Sequence, residues 1–253
     1  MSLAGAPDPL PRVREPEVMD TADEAADYDA MDHAAVNATF CDDLLRLRSS
    51  PGPTARTPTA RPRWVLDLGT GTARIPIALC ARDPHVKIVG TELADHMLAR
   101  AAENVARAGL EDRILLRKTD AKRAPEGHFT APDGGPFDVV CSNSVVHHLP
   151  EPGAALAAWW AGVAPGALLF VRDLTRPRSE DELAALVALH AGAPPERVSL
   201  ASFERQVGLF RASLRASLRV DEVRAILAPL GVRPEAAQAT SDRHFTLAVE
   251  RPR

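Results

Sequence analysis

From residue 63 onward, short unbroken apolar runs alternate with longer stretches in which apolar residues recur every three or four positions. The runs "RWVLDL" (63–68), "VKIVGTE" (86–92), "RILLRKTD" (113–120), "FDVVCSN" (137–143) and "GALLFVRDL" (166–174) predict buried strands. Between them, "ARIPIALCAR" (73–82), "ADHMLARAAENVARAGL" (94–110) and "EPGAALAAWWAGV" (151–163) predict helices. Pro76 sits in a first turn, where its missing N–H costs nothing, and Gly109 suits a helix C-cap. Strand and helix in strict succession predict a parallel sheet covered on both faces. A helical stretch (179–218), the helix "VDEVRAILAPLG" (220–231) and two weaker strand candidates, the last being "HFTLAVE" (244–250), follow. The expected fold is α/β: a doubly wound, mostly parallel seven-stranded sheet with a helical insert after its fifth strand.

Upstream, residues 21–48 read as one helix, with apolar positions at Met31, Ala35, Val36, Leu44, Leu45 and Leu47 and a capping box of Thr21 with Glu24. Residues 1–20 are rich in proline and charge and are expected to be poorly ordered or peripheral. "SSPGPTARTPTARP" (49–62) reads as a linker. The expected organisation is a tail (1–20) and one domain (21–253). That domain comprises a helical cover with linker (21–62), a ligand-binding core (63–175), the insert (176–219) and a C-terminal helix with strands (220–253).

At 253 residues and 45% hydrophobic, the chain can build its core without disulfides. The three cysteines, Cys41, Cys80 and Cys141, are far apart and lack ligand spacing, so they predict buried thiols and no metal site. A net charge of −4 and 4% aromatic residues argue against a nucleic-acid partner. No signal-peptide pattern opens the sequence and no apolar run approaches a membrane span, so a cytoplasmic protein without a membrane partner is expected.

The first strand ends in Asp67-Leu68-Gly69-Thr70-Gly71-Thr72-Ala73. Small residues at 69, 71 and 73 allow a ligand close approach to the backbone. A dinucleotide loop would place its third glycine at 74, where Arg74 stands. Asp67 also opposes a pyrophosphate and suits a positive group. Glu92, ending the second strand, lies where an acid can accept from both hydroxyls of a ribose. Asp120-Ala121, after the third strand, suits the edge of an adenine. A nucleoside with a cationic, unphosphorylated substituent fits all three acids, and S-adenosylmethionine is such a molecule.

Over residues 63–173, "VLDLGTGTA", "IVGTELADHMLARAAENV", "LLRKTDA" and "FDVVCSNSVVHHLPEP" resemble the class I S-adenosylmethionine-dependent methyltransferases. The "SNSVVHHL" segment is most similar to their small-molecule branch related to quinone biosynthesis. Ala73 departs from that pattern, which more often has a third glycine. The resemblance implies S-adenosylmethionine as cofactor, a Rossmann-like fold and methyl transfer to a small-molecule acceptor. It puts Asp67 and the backbone of Gly69, Thr70, Gly71 and Ala73 on the amino-acid part. Glu92 with Leu93 falls to the ribose, Asp120 and Ala121 to the adenine, and Asn143 beside the methionine moiety.

His147 and His148 follow the fourth strand, next to the expected methyl group, and either could act as a base. The resemblance favours His147; hydrogen bonding within the turn is the competing reading. Asp173, ending the fifth strand, is expected to face the same pocket. Tyr28, Asp29, Asp32, His33 and Asn37 share spacings of three to five on the cover helix, with Tyr28 and His33 as substrate-contact candidates. Arg211, Arg215 and Arg219 form a helical stripe that reads either as a solvated rim or as an anion-binding row toward the pocket. Arg243 and His244 are equally open. Two other functions compete: a non-catalytic S-adenosylmethionine-binding regulatory module, and an NAD-dependent oxidoreductase, which Arg74 and Asp67 oppose.

Overall fold

The computed structural model describes residues 9–15, 21–31, 33–49, 63–122, 128–194 and 198–253. Two helices, α1 (Ala22–Ala30) and α2 (Ala34–Ser49), precede the first strand, β1 (Arg63–Leu68). Strand and helix then alternate as their spacing predicts: α3 (Arg74–Arg82), β2 (Val86–Glu92), α4 (Asp95–Ala108), β3 (Ile114–Lys118), β4 (Val139–Asn143), α5 (Pro152–Gly162) and β5 (Leu168–Leu174). Helices α6 (Glu180–His190), α7 (Leu200–Ala216) and α8 (Val220–Leu227) form the next stretch, followed by β6 (Ala237–Ala239) and β7 (His244–Glu250). Among the described residues no helix is long and apolar enough to cross a membrane.

The seven strands lie in the order β3-β2-β1-β4-β5-β7-β6. β1 to β5 are mutually parallel, and β7 runs antiparallel between β5 and β6. Successive residues of each strand face opposite sides, and both sides are apolar. Val65, Ile88, Val139 and Phe170 pack with Phe40, Leu44, Leu79 and Val105 on the side of α2, α3 and α4. Leu66, Val140, Leu169 and Val171 pack with Leu156, Trp159, Val223 and Leu227 on the side of α5 and α8. Each such fully buried side chain contributes about 1.5–3 kcal/mol. Chain order reverses between β1 and β4, so their carboxyl ends border a crevice.

Two expectations are corrected. The helix read over 21–48 is two helices: the capping box of Thr21 and Glu24 is present, but Met31 is extended and ends α1. The halves divide because they pack on different partners, α1 against α4 and α7, α2 against α3 and β5. Asp32 and residues 50–62 of the expected linker lie outside the described residues. The second correction concerns the expected tail, because residues 9–15 are docked. Leu10 is buried, its N–H donating to the Arg178 carbonyl at 2.9 Å while its own carbonyl accepts from Arg176 Nε at 2.8 Å. Val13 N–H donates to the Arg215 carbonyl. Arg12 Nη2 donates to the carbonyls of His147 (3.1 Å) and Leu149 (3.0 Å).

Candidate active site

The glycine loop between β1 and α3 is built on left-handed backbone. Gly69 has φ +73°, and a Cβ there would stand 2.4 Å from Val145 Cγ2, so only glycine fits. Gly71 has φ +54° and lies beneath the Tyr28 ring. Ala73 also takes φ +62° and is fully buried, which is where the usual third glycine is missed.

Glu92 fastens this loop to the start of α4. Its Oε2 accepts the Gly71 N–H at 2.9 Å, while Oε1 accepts the N–H groups of Leu93 (2.8 Å) and Ala94 (3.0 Å). The crevice bordered by Gly69, Gly71, Glu92 and Leu93 continues past Asp120, Ala121, Asn143 and Val145 to His148. Asp120 Oδ1 accepts the Lys122 N–H, and the Ala121 carbonyl accepts from Trp159 Nε1. An adjoining cavity shares Tyr28, Gly69 and Asn143 with the first and is lined further by Asp67, Thr70, His33 and Asn37. Asp67 is 2% exposed, and burial pushes its carboxyl up to about 6 against the opposing contacts of Thr70 and Cys141. Burial likewise pushes the Tyr28 hydroxyl up to about 12, helped by the charges of Glu92 and Asp67.

At the far wall, a 3₁₀ turn (Val146–His148) carries the two histidines. The structure separates them. His148 lines the crevice, whereas His147 is 4% exposed and clamped from behind by Asp173. His147 Nδ1 is 2.6 Å from Asp173 Oδ1, and the His147 backbone N–H donates to Oδ2 at 3.2 Å. Burial opposes charge on both groups, but their mutual attraction and hydrogen bond prevail. The His147 ring is held above its ordinary value and the Asp173 carboxyl below. The expectation that Asp173 faces the pocket is therefore corrected: its oxygens are spent on His147 and the Leu174 N–H.

Arg211, Arg215 and Arg219 line neither cavity. Arg211 is exposed, Arg215 pairs with Glu180 at 2.6 Å, and Arg219 pairs with Asp221 and Glu222. Arg243 stacks on Phe210, and His244, pushed down to about 4 by burial, bonds Ser241. Asp29 lines the adjoining cavity, where it grips Arg74 and accepts from Asn104 Nδ2 at 3.0 Å. The sequence pattern does not single out three side chains near the site: Arg12, Glu15 and Asn104, the last within the stretch "ADHMLARAAENV". Asn104 also donates to the Thr72 carbonyl, tying α4 to the loop. Glu15 Oε2 lies 3.1 Å from His148 Nδ1.

A family model described as a methyltransferase domain matches residues 66–169. Over 165 residues the chain is 30% identical to the release factor glutamine methyltransferase of Deinococcus radiodurans, covering 62% of this chain and 55% of that protein. Over 116 residues it is 34% identical to the demethylmenaquinone methyltransferase of Thermus thermophilus, covering 46% of this chain and 49% of that protein. The chain thus spans about half the length of these curated relatives. The plantazolicin methyltransferase BpumL, solved with SAH, superposes with a TM-score of 0.64 over 90% of both chains at 13% identity, a likeness of fold. The chain is thus similar to methyltransferases in the domain model matched over residues 66–169 and in its curated relatives, and its sheet has the fold of a methyltransferase solved with SAH.

Proposed function

We propose that this chain transfers the methyl group of S-adenosylmethionine to a small-molecule acceptor. The acceptor lone pair bonds to the methyl carbon as the carbon–sulfur bond breaks. The electron pair goes to sulfur, leaving S-adenosylhomocysteine. The observation that carries this reading is the single crevice running from the glycine loop past Glu92 and Asp120 to His148. Glu92 and Leu93 take the ribose, Asp120 and Ala121 the adenine, and Asn143 the methionine moiety. Asp67, with the backbone of Gly69, Thr70, Gly71 and Ala73, holds the amino-acid end, and its carboxylate suits an ammonium. Residues 63–175 serve as the cofactor-binding core, with α1 as its cover.

Positioning supplies most of the acceleration, because the sulfonium is already electrophilic. Tyr28 over the loop, His33 beside it and the docked residues 9–15 near the histidine turn favour an acceptor small enough to enter. Where the acceptor brings a proton, His148 is the ring to receive it, since it stands on the crevice wall. His147, locked by Asp173, positions that wall. The test is a screen of candidate acceptors for S-adenosylhomocysteine release. His148→Ala should lower turnover with a hydroxyl acceptor by about 10²–10⁴-fold while cofactor affinity holds. Cofactor binding without turnover across phenols, amines and carboxylic acids would instead favour a regulatory module.

A further inference from the structure

The docked N-terminal segment delivers Glu15 to the two histidines. One carboxylate oxygen and one nitrogen from each ring lie within 4.8 Å of one another. The Glu15 side chain is 8% exposed, and its second oxygen, Oε1, is buried with no aligned hydrogen-bond partner among the described residues. A buried carboxylate oxygen left without a donor is costly. The carboxylate faces the two imidazoles, with Oε2 3.1 Å from His148 Nδ1, and Ser213 is its other polar neighbour.

We propose that Glu15, His147 and His148 are a binding site for a late first-row divalent cation of the zinc class. Two imidazoles and one carboxylate are a donor set that such ions favour, with a fourth position left for water or a ligand in the crevice. Asp173 on the Nδ1 of His147 is the kind of carboxylate that orients a ligating histidine and raises its basicity. With neutral rings, the two carboxylates give the cluster two negative charges; Arg12, bound to carbonyls of the same turn, offsets part of them. Because Glu15 belongs to the N-terminal segment, the ion fastens residues 9–15 to the turn that carries the histidines. A ring that holds the ion has no nitrogen free to receive a proton, so the ion-bound state and the His148 base proposed above exclude each other.

The experiment is titration of the metal-stripped full chain with zinc by calorimetry, and with cobalt(II) by visible absorption. One zinc per chain is expected, with a raised melting temperature and the visible bands of a four-coordinate cobalt site. Glu15→Gln and His148→Asn should each weaken zinc binding at least tenfold. Asp173→Asn should weaken it by about 10–100-fold through His147. His190→Ala, at the separate pair with Asp242, should leave it unchanged. Calorimetric melts of the metal-free variants establish that each is folded. Equal zinc affinity in wild type, Glu15→Gln and His148→Asn would overturn the proposal, as would loss of binding in His190→Ala alone.

Discussion

The Arg74 guanidinium grips the Asp29 carboxylate with two near-parallel hydrogen bonds, Nε to Oδ1 at 2.8 Å and Nη2 to Oδ2 at 2.9 Å. The arginine that opposes a dinucleotide fingerprint thus anchors helix α1. Because Arg74 is half-exposed, the pair itself is worth only about 1 kcal/mol. A double-mutant cycle of Arg74→Ala and Asp29→Ala should return a coupling of that size. Each single variant should weaken S-adenosylhomocysteine binding by about fivefold, the same energy expressed as affinity. Cofactor affinity unmoved by either change would mean that α1 does not bear on the bound state.

Glu92 is a hinge of hydrogen bonds before any ligand arrives. Glu92→Ala removes the acceptor of the Gly71, Leu93 and Ala94 N–H groups as well as the proposed ribose contact. Cofactor affinity should fall by about 1.5–3 kcal/mol in calorimetry. Glu92→Gln should recover part of it, since its amide oxygen still accepts.

Asp67, proposed to hold the amino-acid end of the cofactor, should link cofactor affinity to pH. With its carboxyl near 6, ionised Asp67 is the major form only above that value. S-adenosylhomocysteine affinity should fall about tenfold per pH unit below 6 and level off above it, whereas Asp67→Asn should bind weakly and without this slope. Stability has the opposite sign. The folded value lies above the unfolded one, so the folded state binds the extra proton between about pH 4 and 6. Stability from this group is present at low pH and is lost as pH rises through 6. Asp67→Asn should therefore stabilise the ligand-free protein at pH 8 by about 1–3 kcal/mol, measured by urea unfolding. Equal stability of the two proteins at pH 8 would refute the raised value.

The two loop glycines should fail differently. Gly69→Ala drives a Cβ into Val145 in a left-handed backbone and should cost about 2–4 kcal/mol of stability. Gly71→Ala meets nothing closer than Tyr28 Cε1 at 3.6 Å, so it should cost only about 1 kcal/mol. Gly71→Val should remain folded by circular dichroism and lose the cofactor, because its branches occupy the space the ligand needs.

What could be read from the chain was what neighbours in sequence decide. Asp67, Glu92 and Asp120 stand at strand ends because apolar runs stop there, and three consecutive strand ends fix their common side. The seven-stranded sheet followed from the same rhythm. Contacts between distant segments left no such trace. Nothing periodic marks Glu15 as the neighbour of His148, or Arg12 as the partner of the turn carrying both histidines. The order of the two histidines also depended on the third dimension. In a 3₁₀ turn adjacent rings leave at different angles, so one reached the crevice and the other went under it. The break between α1 and α2 belongs with these: helix propensity runs through Met31, and only the separate packing surfaces end the first helix there.

The placement of β7 bears on how the molecule comes to exist. β5 meets β7 along its whole length, yet the chain between them contains α6, α7 and α8. As the polypeptide leaves the ribosome, β5 spends the synthesis of three helices with one edge unpaired. Its buried Arg172 meanwhile lacks the Thr246 hydroxyl that later accepts from it. An open strand edge invites pairing with another chain. Closing it spans a long loop, the kind of contact that forms slowly. The amides joining β5 to β7 should thus be among the last to gain protection in pulse-labelled refolding, after the crevice on the other side of β4 has already taken shape.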